Sequence, residues 1–344
     1  WEVLKKDSTP YKVYTPYYRR GCLSLPSPRR PISAPKNIQI SENSKYSLTF
    51  EDLYLKPIIN WDEKITNRWT VSENAAQQRL DEFVLDELQD YRDGRNFPDK
   101  ANVSRLSPYL HFGQISPNTA WYRALDASAL IANEKSLDTF LSELGWREFS
   151  YYLLYHFPHL PHKNLQPKFD AFPWPKTQDS ILRLWKSGKT GYPLVDAGMR
   201  ELYSTGYMHN RVRMVVGSFL VKNLLIHWHE GESWFWDCLV DADLASNSAG
   251  WQWIAGCGAD AAPYFRIFNP ITQSEKFDKQ GNYIRRYVPE LANMPDKFIH
   301  APWLAPEHIL KEAGIEIDVN YPAPVVDIKM SRALALEAFA QTKT

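Results

Sequence analysis

Met208-His209-Asn210-Arg211-Val212-Arg213-Met214 runs directly into Val215-Val216-Gly217-Ser218-Phe219-Leu220-Val221-Lys222-Asn223-Leu224-Leu225, and this junction decides how the chain folds. The apolar run marks a buried helix, predicted over 207–227. Its first turns are polar. Asn210 and Met214 share a face at i, i+4. Arg213, at the start of a buried helix, needs an anion, and Asp241 or Asp243 in Leu239-Val240-Asp241-Ala242-Asp243-Leu244 can supply it. A buried ion pair is costly unless well hydrogen-bonded. Its placement here hints at a polar ligand.

Helical patterning continues on both sides. From about residue 73, Ala75, Leu80, Phe83, Val84, Leu85 and Leu88 recur near the 3.6 period. Further helices are predicted at 117–126, 136–155, 179–186, 193–204 and 232–239. A short helix follows Pro306 and stops at Gly314, and a tail helix covers 328–341. Strand signals are sparse, mainly Tyr283–Tyr287. Prolines at 158, 161, 167, 173 and 175 break the middle into a loop. Residues 1–70, with six prolines between Pro10 and Pro35, read as an irregular linker. The fold class is mainly α, with a helical domain over 71–344.

The 344 residues are enough for one large domain or two smaller ones. Forty basic and forty acidic side chains cancel, so a nucleic-acid partner would need a local basic patch. Cys22, Cys238 and Cys257 make no disulfide framework, which fits a reducing, cytoplasmic compartment. No apolar run has membrane-spanning length and no signal-peptide pattern opens the chain. Because it begins at Trp1, the chain reads as a fragment or a trimmed form.

Thirteen tryptophans stand out, several around Gly250-Trp251-Gln252-Trp253-Ile254-Ala255-Gly256, with Trp228 and Trp174 upstream. Each indole carries an N–H that needs a partner, so cores use tryptophan sparingly. The density suits base stacking, flavin contact or electron relay; the plainer alternative is aromatic filler. Two constellations add to it. Val103-Ser104-Arg105-Leu106-Ser107-Pro108 offers a Ser107-capped helix start whose N–H groups, with Ser104 and Arg105, can hold a phosphate or pyrophosphate. Glu143, Trp146 and Arg147 share one helix face, where an indole can stack on a flat base and a carboxylate can bond its edge. A surface Glu143–Arg147 pair over a core tryptophan is the alternative.

Other motifs fail on context. Gly256-Cys257-Gly258-Ala259-Asp260-Ala261 matches a dinucleotide fingerprint, but no strand precedes it and Pro263 follows. Gly188-Lys189-Thr190 lacks the earlier glycine of a phosphate loop, since Arg183 stands there. His156, His159 and His162 are interrupted by prolines with no thiolate near, so no metal site is expected.

On Thr190–Arg200, Met208–Met214, Asp241–Trp253 and Phe265-Arg266-Ile267-Phe268-Asn269-Pro270, the chain resembles the photolyase/cryptochrome family from about residue 73 to 325. Pro10–Tyr18 resembles the end of that family's N-terminal antenna domain, whose α/β body is missing, so the antenna pigment is left open. The resemblance implies a U-shaped FAD held by Tyr91, Val103–Ser107, Arg213, Asp241, Ala242, Asp243 and Asn247. Phe140 stands in that pocket where some relatives have tryptophan. Asn210 would face the flavin N5, where plant cryptochromes carry Asp. Met214 stands where (6–4) repair relatives use His. Both point to the branch that repairs cyclobutane pyrimidine dimers with reduced, anionic FAD.

The family mechanism implies a dimer flipped out of duplex DNA. Trp146 and Trp253 would wall it, Met214 would pack its ring and Glu143 would bond a base edge. Arg95, Arg147, Arg211, Arg266 and Gln273 would contact the DNA strand. Trp251, Trp228 and Trp174 would relay electrons from the surface to oxidised flavin. The expected protein is a monomer, nucleoid-associated if bacterial. The alternatives are a blue-light receptor of cryptochrome type and a flavin-free helical nucleic-acid binder.

Overall fold

The computed structural model describes residues 1–39, 47–128, 133–261, 263–264 and 266–342; Phe265 of the Phe265–Pro270 motif lies outside them. Helices dominate, and the only β feature among the described residues is an isolated bridge between Ile317 and Tyr321. The principal helices are α1 (Glu73–Glu82), α2 (Ser107–His111), α3 (Pro117–Asp126), α4 (Glu134–His156), α5 (Asp179–Lys186), α6 (Pro193–Thr205) and α7 (Asn210–Ser218). They continue as α8 (Trp228–Cys238), α9 (Leu244–Ala255), α10 (Pro270–Phe277), α11 (Asn282–Tyr287), α12 (Glu307–Ala313) and α13 (Ile328–Gln341).

Helix starts follow local chemistry. Ser72, Ser116, Asp243 and Asp327 each accept an N–H from the first turn of the helix that follows, at 2.7–3.0 Å. Two starts differ from expectation. The buried helix begins at Asn210 rather than 207, and α8 begins at Trp228 rather than 232. Both are capped by histidine: His209 Nδ1 accepts the Arg211 N–H at 3.2 Å, and His227 Nδ1 accepts the His229 N–H at 3.2 Å. After Ser218 the helical path widens into a π turn, Phe219–Asn223. Ser107 is not the cap expected of it. Leu106 takes that position without a side-chain cap, and Ser107 lies in the first turn of α2.

The expected strand Tyr283–Tyr287 is helix α11. Asp278 accepts the N–H groups of Tyr283 and Ile284 at 3.0 and 2.9 Å, tying down the first turn. Tyr283 and Tyr287, four residues apart, then project together and both donate to Glu201, at 2.6 and 3.1 Å. Aromatic strand propensity yields here to a buried carboxylate reached only at helical spacing.

The apolar side chains form three cores. The largest, including Trp185, Leu202, Phe219, Trp228 and Tyr283, joins α5–α8 to the C-terminal half. A second gathers Leu80, Phe83, Leu88 and Phe140, and a third Tyr17, Phe149, Tyr152 and Leu160. Helix α4, with 23 residues, serves the second core at its N-terminal half and the third at its C-terminal half. It is roughly 35 Å long at ~1.5 Å per residue. Pro16–Gly21 forms a π turn whose neighbourhood buries Tyr14, Tyr17 and Tyr18 against α4. Gly145 permits that approach, since a β-carbon there would sit 2.6 Å from the Tyr14 hydroxyl oxygen.

Candidate functional site

Helices α4, α7 and α9 enclose a cavity of about 570 Å³, closed further by the 103–107 loop. That volume suits a cofactor or a drug-sized ligand. Helix α4 presents Phe140, Glu143, Trp146, Arg147 and Tyr151 at helical spacing, α7 presents Asn210, Arg213 and Met214, and α9 presents Asn247, Trp251 and Trp253. Tyr91, Arg95, Val103–Ser107, Asp241 and Asp243 complete the candidate residues on its wall. Ala242 packs instead against the largest core.

The anion for Arg213 is Asp241. The guanidinium Nη2 donates to Asp241 Oδ2 at 3.4 Å, and its Nε donates to the Met208 carbonyl at 2.7 Å. The other Asp241 oxygen, Oδ1, is buried without a hydrogen-bond partner among the described residues. Asp243 is engaged elsewhere: it caps α9 through Ser246, accepts the Tyr151 hydroxyl, and lies 3.8 Å from His111 Nδ1. Asn247 donates to the Glu232 carbonyl at 2.9 Å.

Glu143 pairs with Arg95, not with Arg147 on its own helix. Arg147 lies over the Tyr151 ring at 4.8 Å. Trp146 is no isolated wall: Tyr14 stacks on it at 3.8 Å between centroids, 15° from parallel. Burial pushes the Tyr207 hydroxyl up to about 12, so this cavity residue is a neutral hydrogen-bonding group. Burial, followed by Arg211 and other guanidiniums, pulls His209 down to about 3, keeping neutral the imidazole that caps α7.

The 103–107 loop is shaped by a residue that sequence reading missed. Arg79 donates to the Ser104 carbonyl at 2.9 Å and to the Val103 carbonyl at 3.3 Å while paired with Glu87. Arg105 takes a left-handed backbone, φ 53°, uncommon for a residue with a β-carbon. Tyr207, His111 and Tyr151 also line the cavity. Their only sequence signal was being aromatic or polar beside the motifs already noted.

Trp251 lies 3 % exposed at the cavity wall, edge-on to Phe235 at 5.0 Å. Its ring fills the space where a Gly231 β-carbon would go, so α8 and α9 touch there. Trp228, one helical turn before Gly231, stacks with His227 at 5.5 Å, and His227 meets Trp174 edge-on at 4.9 Å. Trp174, His227 and Trp228 thus form one aromatic run, and Gly231, on the same helix as Trp228, lies against Trp251. Among the DNA-contact candidates, Arg211 donates to Asn96 and lies over Phe277 at 4.5 Å. Arg211 lies outside the cavity lining, as do Gln273 and the exposed Arg266, whose carbonyl accepts Lys222 Nζ at 3.1 Å.

A family model described as the FAD binding domain of DNA photolyase matches residues 140–341. The chain is 47% identical over 341 residues to a deoxyribodipyrimidine photo-lyase of Agrobacterium fabrum, spanning 98% of this chain and 70% of that protein. The crystal structure of a bacterial class III photolyase from Agrobacterium tumefaciens superposes with a TM-score of 0.94, covering 98% of this chain and 70% of that one. Cryptochrome-1 of Arabidopsis thaliana is 38% identical over 351 residues, spanning 99% of this chain and 51% of that protein. The chain belongs to the DNA photolyase family and carries its FAD-binding domain.

The residues present fit FAD. The cavity has the required scale, and Asp241 Oδ1 is a buried acceptor awaiting a donor. Arg105 and Arg213 face the same space as the 103–107 loop, where a pyrophosphate would need positive charge. Among the described residues no cluster suits a metal ion, and no helix is long and apolar enough to cross a membrane.

Proposed function

We propose that this chain repairs cyclobutane pyrimidine dimers in DNA with light. The observation that carries the reading is convergence: Glu143, Trp146, Asn210, Met214 and Trp253 share one cavity with Arg213, Asp241 and the 103–107 loop. A lesion-sized substrate and a flavin would therefore meet inside one enclosure. Bound FAD in its reduced, anionic state supplies one photoexcited electron to the dimer and takes it back after the ring opens.

The protein's part is to bind, orient and exclude water. Tyr91, Val103–Ser107, Phe140, Arg213, Asp241, Ala242, Asp243 and Asn247 are assigned to the cofactor, Ala242 through the backbone of its loop. Trp146 and Trp253 offer apolar walls to the flipped-out bases, and Met214 packs the dimer ring. Glu143 is assigned to hydrogen-bond a base edge and so to hold the dimer in place while it carries the added electron. Arg95 neutralises Glu143 until substrate enters. With Arg147, Arg211, Arg266 and Gln273 it is assigned to the strand around the lesion. Trp251, Trp228 and Trp174 return electrons to oxidised flavin. The partner is damaged DNA, the chain acts as a monomer, and its place is the cytoplasm, on the nucleoid in a bacterium.

The test is blue-light repair of a thymine-dimer oligonucleotide by the FAD-loaded chain, with Glu143→Ala beside it. Glu143→Ala should lower the repair yield per photon. Its lesion affinity should fall by only about 1.5–3 kcal/mol, the worth of one hydrogen bond to a charged group. Full yield in the variant removes Glu143 from the mechanism. Absent repair with intact photoreduction in the parent chain transfers the reading to a light receptor.

A further inference from the structure

The three tryptophans differ in what surrounds them. Trp228 is 1 % exposed, and its Nε1–H donates to the side-chain oxygen of Asn164 at 3.1 Å. Asn164 in turn donates through Nδ2 to Asp170 at 2.7 Å, which fixes the amide with its oxygen toward the indole. Two imidazoles touch the Trp228 ring, His229 at 3.8 Å and His227 at 5.5 Å between centroids. Neither takes the indole proton donor, because that N–H is already directed at Asn164. Trp174, farther along, is only half-buried and open to water.

An indole that loses an electron becomes a much stronger N–H acid. Whether it keeps its proton then depends on the group facing that N–H. A carboxylate or water can take the proton; a carboxamide oxygen accepts the hydrogen bond but is far too weak a base. We propose that Asn164 is a positioning residue of the electron relay. It holds Trp228 against a non-basic oxygen, so that the oxidised indole keeps its proton and its charge and passes the electron deficiency outward.

This inference rests on the relay assigned above. One electron passes from Trp228 to oxidised Trp251, and one from Trp174 to oxidised Trp228. The proton leaves only at Trp174, to water. A thiol in solution then restores both the electron and the proton to Trp174. A base at Trp228 would instead trap a neutral radical inside the protein and stall transfer to Trp174.

The test is flash photolysis of the FAD-loaded chain, read through the tryptophan radical spectrum in H₂O and D₂O. In a Trp174→Phe background the deficiency should stop on Trp228 as the charged radical, with decay insensitive to deuterium. Adding Asn164→Asp should convert it to the neutral radical, which should last several-fold longer and acquire a solvent isotope effect. A charged radical with unchanged kinetics in Asn164→Asp overturns the proposal. Trp228→Phe separates the two levels: photoreduction that survives it means the relay itself runs elsewhere, and the proposal falls with it. In the full chain as purified, the Trp228 indole N–H should exchange slowly and keep that protection in Asn164→Asp. It should exchange several-fold faster in Asn164→Ala, and equal rates in all three forms would show that Asn164 does not hold the N–H.

Discussion

Asp241 is the residue on which the cofactor reading can be decided most directly. Its side chain is 5 % exposed, one oxygen faces Arg213, and the other is buried without a hydrogen-bond partner among the described residues. Leaving a buried carboxylate oxygen unbonded costs free energy, so a donor from a bound ligand would relieve it. Asp241→Asn keeps the shape, removes the charge and replaces one acceptor by a donor. We expect FAD affinity to fall about 10- to 100-fold, corresponding to a charge-assisted bond of ~1.5–3 kcal/mol. Equilibrium dialysis of FAD against the parent and variant chains measures this, and equal affinities would take Asp241 out of the flavin site. Glu143 shows where residue-level reading from sequence ends. Its helical neighbour Arg147 was the obvious partner, yet Arg95, forty-eight positions away, makes the ion pair. Nothing in local spacing encodes such a choice; only the docking of two elements does.

At the scale of elements, the contact between α8 and α9 carries the largest consequence. Gly231 lies under the Trp251 ring, so a methyl group there has nowhere to go. Gly231→Ala should therefore destabilise the fold by about 1–3 kcal/mol, the usual cost of overpacking, seen as a lower denaturant midpoint. Trp251→Phe should leave the fold nearly intact and block photoreduction of oxidised FAD, while repair survives in protein whose flavin is chemically reduced beforehand. Undiminished photoreduction would end the assignment of Trp251 to the relay. The elements themselves were legible in the sequence to very different degrees. Helix α3 declared its start through Ser116-Pro117, and the observed Pro117–Asp126 matches the predicted 117–126. Helices α7 and α8 hid theirs, because histidine imidazoles do the capping that Ser, Thr, Asp or Asn usually does. Helix α11 looked like a strand because its tyrosines favour sheets in isolation, and the Glu201 carboxylate that makes them helical comes from α6. The cavity wall was largely readable, since helical spacing alone puts Glu143, Trp146 and Arg147 on one face of α4. Tyr14 behind Trp146 and Arg79 behind the 103–107 loop were not, because both act from segments remote in sequence.

For the whole molecule, two quantities integrate over many residues: stability against pH and DNA affinity against salt. His209 and His227 are held down at about 3 and about 4, in each case chiefly by burial. A depressed histidine contributes stability that is complete above its unfolded pKa near 6.5 and is lost as pH falls toward its folded value. From pH 6.5 to 4.5, His209 alone should cost on the order of 2–3 kcal/mol, at ~1.4 kcal/mol per pH unit. Asp278, raised by burial to about 6, works in the opposite direction and weakens the fold as pH rises from about 4 to 6. Replacing His209 by Asn, which also caps helices, should flatten the acid limb of the stability curve; an unchanged limb would mean that His209 does not titrate with unfolding. Salt dependence reports the DNA face. The chain has no net charge, so the proposed DNA binding would rest on local basic groups; among the candidates, Arg211 has its pKa lowered first by burial and then by Arg95. Arg266 is exposed and free of ion pairs among the described residues, as a phosphate-binding side chain should be. Each phosphate contact on duplex DNA contributes about 0.9 to the slope of log affinity against log salt. Arg266→Ala should thus weaken binding to damaged and undamaged duplex alike and reduce that slope by about one. Glu143→Ala should weaken only lesion binding and leave the slope alone, because its proposed contact is a base rather than a phosphate. Salt titrations of both variants on both duplexes separate the two roles. A parental slope in Arg266→Ala would make Arg266 a structural residue and move the DNA face to the side of the cavity where Arg95 and Arg211 lie.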